Sequence, residues 1–212
     1  MVLTLYGIPM STCAQRVAVV LKEKDIPFTF VQIDMMKGEH KSPEFLAKQP
    51  FGQVPYIDDD GFVLYESRAI ARYLAAKYPS KGPALLPTEP KANALFEQAA
   101  SVEQSNFDGQ ATAIVAEKIF KKMYQGLDAD EAKVAELTKT FAAKLDAYEA
   151  ILSKQKYVAG DEITLADLFH LPYGSMVKGI NPELFSSRPH VSKWFEGLQA
   201  RPSWVALKDG VQ

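Results

Sequence analysis

Val2-Leu3-Thr4-Leu5-Tyr6-Gly7-Ile8-Pro9-Met10-Ser11-Thr12-Cys13-Ala14-Gln15-Arg16-Val17 is the stretch whose reading decides the fold. Val2 to Tyr6 is a short β-rich run halted by Gly7 and Pro9, which reads as a strand. From Cys13 to Lys24 apolar residues recur at Val17, Val20 and Leu21, with Ala14 and Ala18 beside them, before the charged Lys22-Glu23-Lys24. That spacing is helical. Pro27 closes the connection and Phe28 to Ile33 reads as a second strand, so the chain opens β-α-β. The turn between the first strand and the helix aims backbone amides and the positive end of a helix at whatever binds there, which favours an anion. Ser11 adds a hydroxyl, although a serine before a helix is by itself an ordinary N-cap.

Working outward, residues 34–43 are polar and 44–48 form a short helical piece. Val54 to Ile57 and Phe62 to Leu64 read as strands joined by Asp58-Asp59-Asp60-Gly61, a hairpin turn by composition. Residues 66–78 are again helical. The order β-α-β-α-β-β-α requires a sheet with one parallel crossover and one antiparallel hairpin. Pro79, Gly82, Pro83, Pro87 and Pro90 then crowd twelve residues and mark a linker. The expected division is a first domain at 1–80, a linker at 81–90 and an all-helical domain at 91–212. Strand signals vanish after the linker. Residues 92–124 and 129–154 are long helical patterns, Thr164-Leu165-Ala166-Asp167 reads as a capping box, and 191–199 reads as a final amphipathic helix stopped by Pro202. The fold class is therefore α/β followed by a helical bundle.

With 47% hydrophobic and 24% charged residues and a formal net charge of −2, the composition is that of a globular protein. Nothing in that balance attracts nucleic acid or an anionic membrane, and neither is expected as a partner. The single cysteine, Cys13, cannot form an intramolecular disulfide or a multi-cysteine zinc site, so no metal is expected and a reducing compartment suits the chain. Met1 to Gly7 lacks the features of a secretory signal, and no stretch approaches the roughly 20 apolar residues of a membrane span. The expected location is cytoplasmic.

Three further features could meet a peptide-like ligand. In Phe51-Gly52-Gln53-Val54-Pro55 a proline stands directly before a strand, and a cis bond there would leave backbone groups free to pair with a ligand. Glu66-Ser67-Arg68 opens a helix: its free amides and Ser67 suit a carboxylate, and Glu66 suits an ammonium, so together they could hold an α-amino acid end. His40-Lys41 could meet the opposite carboxylate. Each has an ordinary reading as cap, loop proline or solvated charge.

In one order on one β-α-β-α-β-β-α half, these features resemble the glutathione transferase family, and the phi class most closely. The residues that carry the resemblance are Pro9-Met10-Ser11-Thr12, Arg16-Val17, Lys37-Gly38-Glu39-His40-Lys41-Ser42-Pro43, Pro50-Phe51-Gly52-Gln53-Val54-Pro55 and Glu66-Ser67-Arg68-Ala69-Ile70-Ala71-Arg72-Tyr73. In the second half, Ile163-Thr164-Leu165-Ala166-Asp167-Leu168 and Arg188-Pro189-His190-Val191-Ser192-Lys193-Trp194 continue it. The resemblance implies a thioredoxin-like first domain that binds glutathione as co-substrate. Ser11 would donate to the glutathione sulfur, and His40 and Lys41 would approach the glycine carboxylate. Val54 would pair with the cysteinyl unit before a cis Pro55, with Gln53 nearby. Glu66 and Ser67, with Arg68 adjoining, would take the γ-glutamyl end. Phe51 would key into the partner subunit of a homodimer. Gln49 replaces the family's commoner asparagine at a position expected to lie outside the contacts.

Other readings stand beside this one. Tyr6 lies near the tyrosine that other classes use, and is read as packing. Cysteine-using classes place that residue five before the arginine; five before Arg16 is Ser11, which leaves Cys13 as a buried or helix-facing thiol. Ser11-Thr12-Cys13 followed by Arg16-Val17 also resembles the zeta class, a glutathione-dependent isomerase. A non-catalytic ligand-binding module would share the same contacts, and a reductase acting through Cys13 is the third alternative. A free thiol titrates near 8.5, and lowering that by about two units takes roughly 2.7 kcal/mol. One charge-assisted hydrogen bond contributes about 1.5–3 kcal/mol and a helix terminus about 0.3–1. Ser11 therefore suffices without a general base. The electrophile, expected to be small and apolar, is assigned to Met10, Met36, Phe107, Phe120, Met123 and Met176, since methionine and aromatic side chains repack around varied ligands. Reduction of organic hydroperoxides is a further expected activity.

Overall fold

The computed structural model describes residues 3–212, so the expected start of the first strand at Val2 lies outside the described residues. The first half forms β1 (Leu3–Gly7), α1 (Thr12–Glu23), β2 (Phe28–Gln32), a 3-10 turn (Glu39–Lys41), α2 (Pro43–Leu46), β3 (Tyr56–Asp59), β4 (Phe62–Tyr65) and α3 (Ser67–Lys77). The sheet order is β2-β1-β3-β4; β1 and β2 are parallel, and the β1–β3 and β3–β4 pairs are antiparallel. This is the mixed sheet that the element order requires. α1 lies against α3, and Ala14, Val17, Ala18, Val20 and Leu21 are buried as their spacing predicts. Two boundaries move. β3 begins at Tyr56, not Val54, so Val54 and Pro55 precede the strand. Proline has no N–H to give to a ladder, which displaces the strand start past it. β2 ends at Gln32, while Ile33 still donates to Gly7 O at 2.8 Å.

The second half is helical: α4 (Pro90–Val102), α5 (Gly109–Val115), α6 (Lys121–Gln125), α7 (Glu131–Leu152), α8 (Leu165–Phe169), α9 (Leu171–Ile180), α10 (Glu183–Ser186), α11 (Pro189–Gln199) and α12 (Pro202–Val205). The pattern over 92–124 is one helical run in which Glu103–Asp108 and Ala116–Phe120 are wound as π-helix between α4, α5 and α6. The helix at 191–199 is not the last: Pro202 is the first residue of α12, a position that tolerates proline because its N–H would be unpaired there anyway. The expected capping box closes, with Asp167 Oδ2 accepting from Thr164 N at 2.9 Å. Burial pushes the Asp167 carboxyl up from its usual range, against four donors that favour the anion: Thr164 N, Thr164 Oγ1, Val158 N and Trp194 Nε1.

The chain divides into two compact units, Met1–Leu86 with Arg201–Gln212, and Pro87–Ala200. The expected helical domain at 91–212 thus yields its last twelve residues to the first unit. They return because Leu207 and Val211 bury their side chains there and Arg201 pairs with Glu23 at 2.5 and 2.7 Å. The core of the second unit is aromatic. Phe107 lies edge-on to Phe141, Tyr148 and His170, and His170 is bonded through its ring nitrogens to Ala166 O (2.7 Å) and Tyr148 Oη (2.9 Å). His190 is held at the surface by Glu149 (2.6 Å).

Candidate active site at one end of the first unit's sheet

Register alone gathers three of the sequence-predicted segments. Tyr6 of β1 pairs with Tyr56 of β3, and Tyr56 pairs with Tyr65 of β4. The end of β1, the start of β3 and the end of β4 therefore lie side by side. From these three points run the Pro9–Ser11 turn, the Val54–Pro55 peptide and Glu66–Ser67.

Ser11 is half-buried and caps α1, its Oγ accepting from Ala14 N at 3.3 Å. The cap reading is correct, and it leaves the hydroxyl proton free to donate, since a hydroxyl accepts and donates at once. Three residues earlier, Ile8 O accepts from Ser11 N at 3.0 Å and tightens the turn. The Val54–Pro55 peptide is cis. Gln53 is exposed, and its N–H is held by Gln49 Oε1 at 3.1 Å. Gln49 is 2% exposed. The position set aside from the sequence as peripheral is thus a buried support of this loop.

Glu66 has φ of 71°, a left-handed backbone that a residue with a Cβ seldom adopts, and its side chain is exposed and caps nothing. Such a conformation costs about 1–3 kcal/mol and points to a functional constraint. Ser67 is buried at the first position of α3, its Oγ accepting from Arg16 Nη1 at 3.1 Å. The same nitrogen lies 3.5 Å from Cys13 Sγ. Arg16 is 1% exposed and ties α1 to the start of α3. Nothing in the sequence assigns Arg16 a role, because a buried guanidinium 51 positions from its partner leaves no local signal. Arg68 follows on α3 and is half-buried.

His40 and Lys41 sit on the 3-10 turn. Lys41 Nζ donates to Phe51 O (3.3 Å) and Gly52 O (3.2 Å), which brings its ammonium to the loop that carries Gln53 and Val54. Gly52 has φ of 61°, and a Cβ there would lie 2.5 Å from Lys41 Nζ, so only glycine permits this approach. His40 Nδ1 is buried with no hydrogen-bond partner among the described residues. Phe51 is 64% exposed, edge-on to Tyr65. Tyr6 is stacked on Tyr56 with centroids 4.4 Å apart. Burial pushes the Tyr56 phenol up to about 12.

The electrophile candidates scatter. Met10 and Met36 are exposed on the first unit. On the second, Met123 is exposed, Met176 is half-buried, and Phe120 lines a shallow groove with Ala113, Ala116 and Tyr124. Phe107 is a correction: at 1% exposure inside the aromatic core it has no surface to offer a ligand. Helical spacing marks an apolar face without telling core from pocket. Among the described residues no group of three or more His, Cys, Asp or Glu could hold a metal ion, and no helix is long and apolar enough to cross a membrane.

A thioredoxin-like unit whose sheet end carries a helix-capping serine, a cis proline and a strained acidic residue before a helix, followed by a helical unit, defines the glutathione transferases. Residues 1–76 match the glutathione S-transferase N-terminal domain and residues 108–202 the C-terminal domain. A glutathione S-transferase of Arabidopsis thaliana, PM239X14, is 51% identical over 195 residues, covering 90% of this chain and 88% of the relative. Among solved structures, glutathione transferase F7 of Populus trichocarpa superposes with a TM-score of 0.94 at 38% identity over 100% of both chains. Glutathione S-transferase I of maize, in complex with an atrazine glutathione conjugate, does so at 0.91 and 33% identity over 98% of this chain and 96% of that one. The chain belongs to the glutathione S-transferase family, enzymes whose co-substrate is glutathione, and its relatives of the F type agree with the phi-like motifs.

Proposed function

We propose that Ser11 donates a hydrogen bond to the glutathione sulfur and holds it as a thiolate once the thiol proton has left to solvent, and so drives its conjugation to small apolar electrophiles, with reduction of organic hydroperoxides as a second use of the same thiolate. The observation that carries this reading is the convergence of the Ser11 turn, Val54–Pro55 and Glu66–Ser67 at one sheet end. In this reading Glu66, Ser67 and Arg68 take the γ-glutamyl end. Val54 pairs with the cysteinyl backbone beside Gln53 and the cis Pro55. Lys41 and His40 serve the glycine carboxylate. The conjugate held by the maize relative supports an electrophile of small aromatic character. Met10, Met36, Phe120, Met123 and Met176 stay as candidate electrophile contacts. A cytoplasmic setting belongs to the same proposal.

Removing one charge-assisted hydrogen bond of about 1.5–3 kcal/mol corresponds to a rate loss of roughly ten- to a hundredfold. Ser11→Ala is expected to lower kcat with an activated aryl halide by that factor, while calorimetry still detects glutathione. Blocking Cys13 with an alkylating reagent is expected to leave turnover in place. Full activity of Ser11→Ala together with loss on Cys13 alkylation transfers the role to the thiol.

We also propose a homodimer in which Phe51 enters the partner. An aromatic ring this exposed, resting on Tyr65, is an anchor of the kind that interfaces bury. Sedimentation should give a dimer for the native chain and a shift toward monomer for Phe51→Ala; a native monomer at micromolar concentration removes this part.

A further inference from the structure

Residues 201–212 run back along α1 in the opposite direction and hold it at both ends. At the far end, Glu23, the last residue of α1, accepts from Arg201 Nε and Nη2 at 2.5 and 2.7 Å and from Ser203 Oγ. In the first turn of α1, Gln15 Nε2 donates to Leu207 O at 3.4 Å. Beyond the near end, Val211 N donates to Pro9 O at 2.9 Å. Twelve residues of helix span about 18 Å, so these contacts bracket the whole element. The fit at the near end is close. Gly210 is buried with φ of 95°, and a Cβ there would lie 2.9 Å from Pro9 Cβ and 3.1 Å from Pro9 C and O. Leu207 and Val211 are each 1% exposed, whereas Lys208 and Asp209 between them face solvent.

Pro9 stands two residues before Ser11, inside the turn closed by the bond from Ser11 N to Ile8 O. Its carbonyl is fixed by nothing local: the donor comes from more than two hundred positions along the chain. We infer that Gly210 and Val211 are positioning residues for the Ser11 turn, fixing through Pro9 where the Ser11 hydroxyl meets the sulfur. The inference rests on the reading of Ser11 given above. A hydrogen bond to a thiolate is steep in distance and angle, and a displacement of about 1 Å in a positioned group can cost a hundredfold in rate. Glutathione is gripped mainly at its two ends in that reading, so a shift of this turn acts on ionisation more than on affinity.

The test compares Gly210→Ala with Gly160→Ala, which places a Cβ on a backbone that is also of positive φ (141°) in the other unit, where nothing lies within 4 Å. Each is assayed for Tm, steady-state kinetics and the pH titration of bound glutathione by thiolate absorbance. Gly210→Ala is expected to lower kcat about ten- to a hundredfold, to move the bound thiol's midpoint up toward its value in water, and to leave KM for glutathione within about twofold. Gly160→Ala should lose Tm with neither kinetic effect. An unchanged midpoint in Gly210→Ala, or equal kinetic losses in both variants, overturns the inference. If Gly210→Ala does not fold, Val211→Pro, which removes the N–H that reaches Pro9 while keeping an apolar side chain at this buried position, is read in its place. Ser11→Ala in the same titration separates the two ideas. No movement there withdraws the role of Ser11 and the strap with it, whereas movement there without movement in Gly210→Ala withdraws the strap alone.

Discussion

Arg16 shows how a residue can govern a site it does not line. Its guanidinium is buried, donates to Ser67 Oγ and approaches Cys13 Sγ. That bond occupies a lone pair of Ser67 and leaves the hydroxyl its proton to donate, in the proposed reading to the γ-glutamyl group. A planar fork suits two partners at fixed angles and an ammonium does not. Arg16→Lys keeps the charge and loses the fork. It is expected to raise KM for glutathione about tenfold, to lower kcat much less, and to lose about 1–3 kcal/mol in urea unfolding from the disturbed buried bonds. A KM within twofold of the native value would show that Ser67 needs no such orientation. The placement of Ser11, Glu66 and Ser67 at helix starts was legible because cap and turn chemistry marks such positions in a sequence. Arg16 and Gln49 were not, since their partners are set by tertiary packing. Phe107 was misread for the converse reason: an aromatic on an apolar helix face has the same spacing whether it meets a ligand or Phe141.

At the scale of elements, the strongest signals were those with a backbone cause. The hairpin at 58–61, the helix after Ser11 and the capping box at 164–167 follow from turn and cap chemistry, and all three are present. What the periodicity missed is also physical. The start of β3 lies past Pro55 because pairing needs an N–H, so Val54 is left outside the ladder. The π-helical windings at 103–108 and 116–120 insert an extra residue into a turn without any compositional mark, and such windings often accompany functional sites. The second winding carries Glu117. A backbone bond from Asp130 N, joined by Lys121 and Lys133, lowers its carboxyl to about 2 and ties this run to the start of α7. Glu66 is the plainest local conflict. An acidic residue before a helix is expected to cap it, yet this one spends its position on a left-handed backbone and leaves its carboxylate outside. Local rules that fail at one residue while holding on both sides of it mark a functional constraint.

For the whole molecule, the deciding fact is that the first compact unit is discontinuous: the chain leaves it at Leu86 and re-enters at Arg201. Composition suggested a boundary in the Pro- and Gly-rich stretch at 79–90 but could not place the return, because 201–212 is a short segment whose apolar residues do not say which unit they join. The return is anchored by Glu23, and its stability should depend on pH in a stated direction. Burial pushes the Glu23 carboxyl up, but hydrogen bonds from Arg201 and Ser203 and the charge of Arg201 outweigh it and hold it below its ordinary value of 4.5. A carboxylate depressed in the folded state binds fewer protons there than in the unfolded chain just below 4.5. Its contribution is therefore fully present above 4.5 and drains away as pH falls through the lowered folded value. Glu23→Gln, which keeps the shape without the charge, should be less stable than the native chain by about 1–3 kcal/mol at pH 7. That gap should narrow once pH drops below 4.5. Urea unfolding of both proteins from pH 7 to the lowest pH at which they stay folded measures it, and the difference cancels other depressed carboxylates such as Asp59 and Glu149. A gap that stays constant through the acid limb would mean that Glu23 holds the returning segment by shape alone. The ion pair would then have no part in joining the two stretches of the discontinuous unit.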